Sequence, residues 1–96
     1  MNKVMFMGED CTVQWQYYPN SRIAIKLFCN QGSMGIATVN MPKYPLGDSQ
    51  VIIKDWSENK GVLGALVGAG IVRDTGEVAP SGYVEGNVCD LLVVPE

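Results

Sequence analysis

Asp55-Trp56-Ser57-Glu58-Asn59-Lys60-Gly61-Val62-Leu63-Gly64-Ala65-Leu66-Val67-Gly68-Ala69-Gly70-Ile71-Val72 is the stretch of this 96-residue chain that reads as a helix; the segments on either side read as strand and turn. At about 100° per residue, Val62, Leu63, Leu66 and Val67 fall on one apolar face, and Gly61, Gly64 and Gly68 gather on roughly the opposite side. Asp55 and Glu58 have capping-box spacing, in which the aspartate accepts from a first-turn amide while the glutamate reaches back. Both carboxylates then sit at the positive end of the helix dipole. The pattern predicts a helix over 55–69, with Gly70 as the glycine that ends it. No charged side chain lies between Lys60 and Arg73, so this helix has almost no face built for water. A glycine in an exposed helix costs up to about 1 kcal/mol relative to alanine. The Gly61, Gly64 and Gly68 side is therefore expected to meet a second backbone, either a strand or the same helix of a second copy in a homodimer.

Upstream, Cys11, Val13, Trp15 and Tyr17 alternate with Thr12, Gln14, Gln16 and Tyr18, which is the period of a half-buried strand. Pro19-Asn20-Ser21 turns the chain into a second strand at 22–28. There Ile23, Ile25 and Leu27 are expected beside Val13, Trp15 and Tyr17, with Arg22, Ala24 and Lys26 beside the glutamines. Asn30-Gln31-Gly32-Ser33 reverses the chain into a strand at 35–41, and residues 3–7 form a short strand before the set. Pro42 and Pro45 remove ladder donors, so 42–49 is a connecting loop, and 51–54 is a buried strand leading into the helix. Beyond the helix, 73–77 reads as a turn, 78–85 as an irregular extended stretch, Gly86-Asn87 as a reversal and 88–94 as the last strand. The predicted fold is α+β, a single domain over 1–96: a mainly antiparallel sheet of five or six strands with one helix packed on one face.

Composition narrows the function classes. Hydrophobic residues make up 47% and charged residues 18% of the chain, a globular balance. Ten acidic and seven basic residues are scattered and sum to a charge of -3, with no cationic stripe, so direct nucleic-acid binding is not expected. The chain has no histidine, which removes the commonest general base and metal ligand. No serine or cysteine has a lysine or carboxylate partner at a recognisable spacing. No catalytic residue, metal site or cofactor is assigned. Cys11, Cys29 and Cys89 are odd in number, far apart and outside any Cys-x-x-Cys pair, and read as reduced thiols used as small core residues. The apolar run at 1–7 is too short for a signal-peptide core, and the uncharged segment at 61–72 is shorter than the roughly 20 residues of a bilayer span. The expected location is the cytoplasm, with no membrane contact.

Three motifs have chemical readings to weigh. Asp74-Thr75-Gly76 has the form in which aspartic proteases present their carboxylate, but it falls too late in the chain to leave room for the rest of such a subunit, and a turn is expected instead. Asp55 and Glu58 as a carboxylate pair are accounted for by capping. The glycines at 64, 68 and 70 lie inside a helix rather than between a strand and a helix start, so they mean packing rather than phosphate binding. Of the aromatic residues, Trp15, Tyr17 and Phe28 are assigned to the core. Tyr18, Tyr44, Trp56 and Tyr83 fall in loops or at element ends and are the candidate partner-binding residues.

The order Asn40-Met41-Pro42 through Tyr44-Pro45-Leu46, then Val51-Ile52-Ile53-Lys54-Asp55 with Ser57-Glu58-Asn59, then Leu66-Val67 with Ala69-Gly70-Ile71-Val72 and Asp74-Thr75-Gly76, then Pro80-Ser81-Gly82-Tyr83-Val84, resembles an uncharacterised family of small proteins encoded by phages and conjugative elements of Gram-positive bacteria. The likeness covers about residues 11–92. That family has no established catalytic residues to carry over. The resemblance implies a non-enzymatic accessory protein of a mobile element that binds and blocks a host protein complex, with host-defence inhibitors of the anti-CRISPR type as the model. The alternatives are a small-ligand or nucleotide-sequestering oligomer and a structural or housekeeping dimer.

Overall fold

The alternation at 11–17 becomes the second strand of a four-stranded antiparallel sheet. The computed structural model describes residues 2–30, 32 and 34–95, with side chains for all but Met34 and Ser81. Strands β1 (Lys3–Phe6), β2 (Glu9–Tyr17), β3 (Ile23–Cys29) and β4 (Met34–Ile36) lie in that order in sheet A. The expected pairing holds: Val13, Trp15 and Tyr17 face Leu27, Ile25 and Ile23, and Gln14 and Gln16 face Lys26 and Ala24. Of the reversal expected at 30–33, Gln31 and Ser33 lie outside the described residues. Gly32 adopts φ +80° and its amide donates to the Cys29 carbonyl oxygen at 2.9 Å, which turns the chain there.

Sheet B contains β5 (Gln50–Ile53), β6 (Val72–Ser81) and β7 (Val84–Leu91), in the order β5-β7-β6 and antiparallel throughout. The α+β class stands, with seven described strands in two sheets where five or six in one sheet are expected. The division arises because the strand predicted at 35–41 changes partners part way. The Ala37 amide still donates to Ile25 of β3, but the Ala37 carbonyl accepts from Lys54 and the Val39 amide donates to Ile52. The sheets are joined there by one bridge pair, Thr38 with Ile53, rather than by a ladder.

Beyond the helix, the expected turn at 73–77 is instead part of β6. The register shifts between Asp74 and Val78, a bulge in which Gly76 supplies a left-handed residue at φ +85°. Asp74 Oδ1 accepts from the Gly76 amide, and Thr75 Oγ1 donates to the Val88 carbonyl oxygen at 2.7 Å, so Asp-Thr-Gly is bulge chemistry. Asp74 is solvent-exposed, which is not how a protease presents its carboxylate. The reversal expected at Gly86-Asn87 falls instead at Gly82-Tyr83, between the paired Ser81 and Val84, with Gly82 at φ +63°. Gly86 lies inside β7, where a Cβ would collide with Ile52 of the neighbouring strand.

The helix is shorter than 55–69 and interrupted. A 3-10 turn, Ser57–Asn59, is followed by α1 (Val62–Gly68), and Gly61 at φ +97° separates them. Asp55 does cap, but across the break: its Oδ1 accepts from the amides of Gly61 and Leu63 at 2.8 and 3.1 Å. Glu58 does not reach back to Asp55 and instead pairs with Lys54 at 3.2 Å. At the C-terminus, Gly70 at φ +74° donates to Val67 and the Ile71 amide donates to Leu66, the Schellman arrangement, closed by the buried Leu66 and Ile71 side chains.

Val62 and Leu66 bury the inner face of α1, while Val67, expected on that face, is exposed. The helix packs against β1 and β6, the outer strands of the two sheets, and so covers the open side between them. One core joins Val4, Val13, Ile25 and Leu27 of sheet A to Val51, Ile53, Val72 and Cys89 of sheet B. A smaller one lies on the far side of sheet B, where Ile52, Ala79 and Val88 are covered by Val39, Met41, Tyr44 and Leu46 of the β4–β5 connection. Arg22 fastens that connection by donating to the carbonyl oxygens of Met41 and Tyr44.

The cysteines divide. Cys11 and Cys29, expected as reduced core thiols, are directly paired across β2 and β3 and joined as a disulfide. The Asn30 amide donates to the Asp10 carbonyl beside them, so the cysteines occupy the non-hydrogen-bonded site, where opposing side chains come closest. The proximity depends on strand register, which cysteine spacing alone does not show. Cys89 is the buried free thiol expected; burial, then the charges of Asp74 and Asp90, push it up to about 12. Among the described residues, no helix is long and apolar enough to cross a membrane.

Candidate functional site

A cleft of about 280 Å³ opens where the β1–β2 turn, β3, β4 and the 3-10 turn converge. Phe6, Leu27, Ala37 and Val62 give it apolar walls, and Cys29 brings the disulfide to its margin. Its charged lining residues are Glu9 and Glu58. The backbone amide of Glu58 itself and then the Lys54 ammonium hold the Glu58 carboxyl below the usual carboxylate range. Asn59, buried, donates from Nδ2 to the Ile36 carbonyl oxygen at 2.7 Å, which ties the 3-10 turn to the last residue of β4. The apolar walls leave room for an apolar body.

The four candidate partner-binding residues do not converge on this cleft. Tyr18 is half-buried and its hydroxyl shares a hydrogen bond with Thr38 Oγ1 at 2.9 Å. Tyr44 is half-buried over sheet B, and the hydrogen bond to the Glu77 carboxylate raises its hydroxyl pKa above the ordinary value. Trp56 is half-buried in extended backbone before the 3-10 turn. Tyr83, at the tip of the β6–β7 hairpin, stands fully in solvent. Tyr18 and Tyr44 are thus committed to holding the fold. The helix glycines also differ from expectation: a Cβ at Gly64 or Gly68 would meet nothing within 4 Å, and one at Gly61 would touch only Phe6 at 3.8 Å. Among the described residues, nothing packs against Gly64 or Gly68. Among the described residues, no group of three or more cysteine, aspartate or glutamate side chains is placed to hold a metal ion.

The surface that stands out instead is the outer face of sheet A. Met5 of β1, Phe28 of β3 and Ile36 of β4 project from it with exposures of 59%, 39% and 43%. Thr12 faces Phe28 across one pair of strands and Lys26 faces Ile36 across the next, so apolar and polar side chains share the face. Phe28 was expected in the core, yet period-2 parity with Ile25 and Leu27 puts it outside; that parity was the signal available for it. Glu9 and Gly35 of the cleft had no comparable signal, because both belong to local turn and strand patterns until the fold brings them together.

In comparisons with protein-family models, curated proteins and solved structures, the chain matches none.

Proposed function

We propose that this protein is a non-catalytic accessory protein of a phage or conjugative element that acts in the cytoplasm of a Gram-positive host by covering a surface of a host protein complex, with an anti-CRISPR-type block of host defence as the leading case. The observation that supports this reading is the outer face of sheet A, where Met5, Phe28 and Ile36 are presented on a four-stranded sheet among Thr12 and Lys26. Exposed apolar side chains interleaved with polar ones are a composition that a protein partner can cover. Tyr83 on its exposed hairpin is a further anchor carried by the other sheet. The glycine side of α1, open to solvent, remains the place where a second copy would pack in a homodimer.

The disulfide pulls against a cytoplasmic location, since cytosolic thiols are kept reduced. Alkylating under denaturing lysis of host cells, before thiols can reoxidise, settles that point: three modified cysteines fit a reducing compartment, and modification of Cys89 alone does not. The function itself is tested by expressing the chain in a CRISPR-competent Gram-positive host and scoring the plating efficiency of a targeted phage. Restored plating that is lost in Phe28→Lys/Ile36→Lys, with that variant still folded, is the expected result. Unchanged restriction across a panel of defence systems, with the protein present and folded, would end the inhibitor reading.

A further inference from the structure

We propose that the cleft between Phe6, Leu27, Ala37 and Val62 binds a neutral single-ring aromatic molecule of the phenol class, whose one hydrogen-bond donor is received by Asn59 Oδ1. This assignment goes beyond the blocking role and does not depend on it.

The register of sheet A places the walls. Gly35 faces Leu27 across β3 and β4, and Ala37 and Cys29 each follow by two residues, so period-2 parity puts all four on the inner face. All four line the cleft. Asn59 reaches the same face from the 3-10 turn with 6% exposure. Its Nδ2 donates to the Ile36 carbonyl oxygen at 2.7 Å, which fixes the orientation of the amide and leaves Oδ1 as an acceptor. A Cβ on Gly35 would lie 3.8 Å from Oδ1, so the acceptor is aimed at the inner face, where the cleft lies. Among the described residues, no donor reaches it. A buried acceptor without a partner is costly, and a ligand O–H or N–H supplies one. The φ of Gly35 is not left-handed and its Cβ would meet nothing else within 4 Å, so neither conformation nor packing requires glycine there. Its effect is to keep the space before Oδ1 open. Charge does not choose the ligand, because Glu58 is paired with Lys54 and Glu9 has an interaction of its own. A volume of about 280 Å³ is at the small end for ligand pockets and suits one ring, against which Phe6 can stack or set its edge.

The test titrates the full chain with p-cresol, with its methyl ether 4-methylanisole and with toluene, each followed by amide chemical shifts. Toluene is the most apolar of the three, so hydrophobic burial alone would favour it over p-cresol. The expected result is the reverse: p-cresol binds about twofold to tenfold tighter than either of the others, the range that one net hydrogen bond supplies. The shift changes should centre on Phe6, Leu27 and Val62. Asn59→Leu should remove the preference for p-cresol, and Gly35→Leu should abolish binding of all three. The proposal is overturned by p-cresol binding no tighter than both other probes, by shift changes centred elsewhere, or by no binding of any probe. It is equally overturned if the preference survives in folded Asn59→Leu or binding is undiminished in folded Gly35→Leu. Should either variant fail to fold, the preference and the shift map of the unmodified chain decide.

Discussion

Sheet A rests one face on the core and leaves the other to water, whereas sheet B is covered on both faces. Both are antiparallel and draw on the same residue types, so the difference lies in what the intervening chain does. The connection at 39–46 folds back over sheet B, giving Ile52, Ala79 and Val88 a second core, and among the described residues no segment does this for sheet A. Sheet A carries a cross-strand disulfide between β2 and β3, while sheet B keeps its one cysteine as a free buried thiol. A sheet with one wet face buries less apolar surface per strand. A covalent link between adjacent strands offsets part of that deficit, and the wet face is left available for binding.

The sharpest way to break this comparison is to truncate the second face of sheet B. Ile52 is 1% exposed, so Ile52→Ala should cost about 2 to 5 kcal/mol in urea unfolding, the range for a large-to-small change in a packed core. A cost below about 1 kcal/mol would mean that the 39–46 connection does not form a real core. Next in size is the disulfide: Cys11→Ser/Cys29→Ser opens a cross-link spanning a sequence separation of 18 and should cost about 3 kcal/mol by the same measurement. No loss would show that sheet A holds without it.

Cys89 gives a smaller, pH-dependent effect. An ordinary thiol titrates near 9.0 and this one at about 12 when folded, so its contribution to stability is whole below pH 9 and is lost as the pH rises toward 12. At pH 10, Cys89→Ala should therefore lose about 1.4 kcal/mol less, relative to its own neutral-pH stability, than the unmodified chain. Identical alkaline limbs would place the thiol in contact with water. The smallest change is expected at Ile36→Ala on the wet face of sheet A, at about 1 kcal/mol or less. Should it match Ile52→Ala, the two sheets are covered alike.

Much of sheet A was legible in advance, because period-2 alternation names both the strand and the face, and the pairing of Val13, Trp15 and Tyr17 with Leu27, Ile25 and Ile23 follows once the turn at 19–21 is placed. The same rule, carried one residue further, puts Phe28 on the outside, and that step exposes the candidate binding face. Sheet B was harder. Asp74-Thr75-Gly76 carries turn residues but serves as a bulge inside β6, since the ladder to β7 resumes at Val78 and overrides the local preference. Gly86 looks like a turn glycine and is a packing glycine, because Ile52 occupies the space its side chain would take.

By itself the sequence determined the α+β class, the meander of sheet A, the proline-rich connection, Asp55 as a cap and Gly70 as a helix end, all of which rest on interactions between residues near in the chain or on a fixed period. Only the tertiary structure decided the division into two sheets, the break in the helix at Gly61, the Cys11–Cys29 link and the cleft beside Gly35. Each of these depends on which distant segments share space. Val39 must donate to Ile52, Cys11 must fall opposite Cys29, and Asn59 must reach Ile36, and no local propensity specifies any of these pairs.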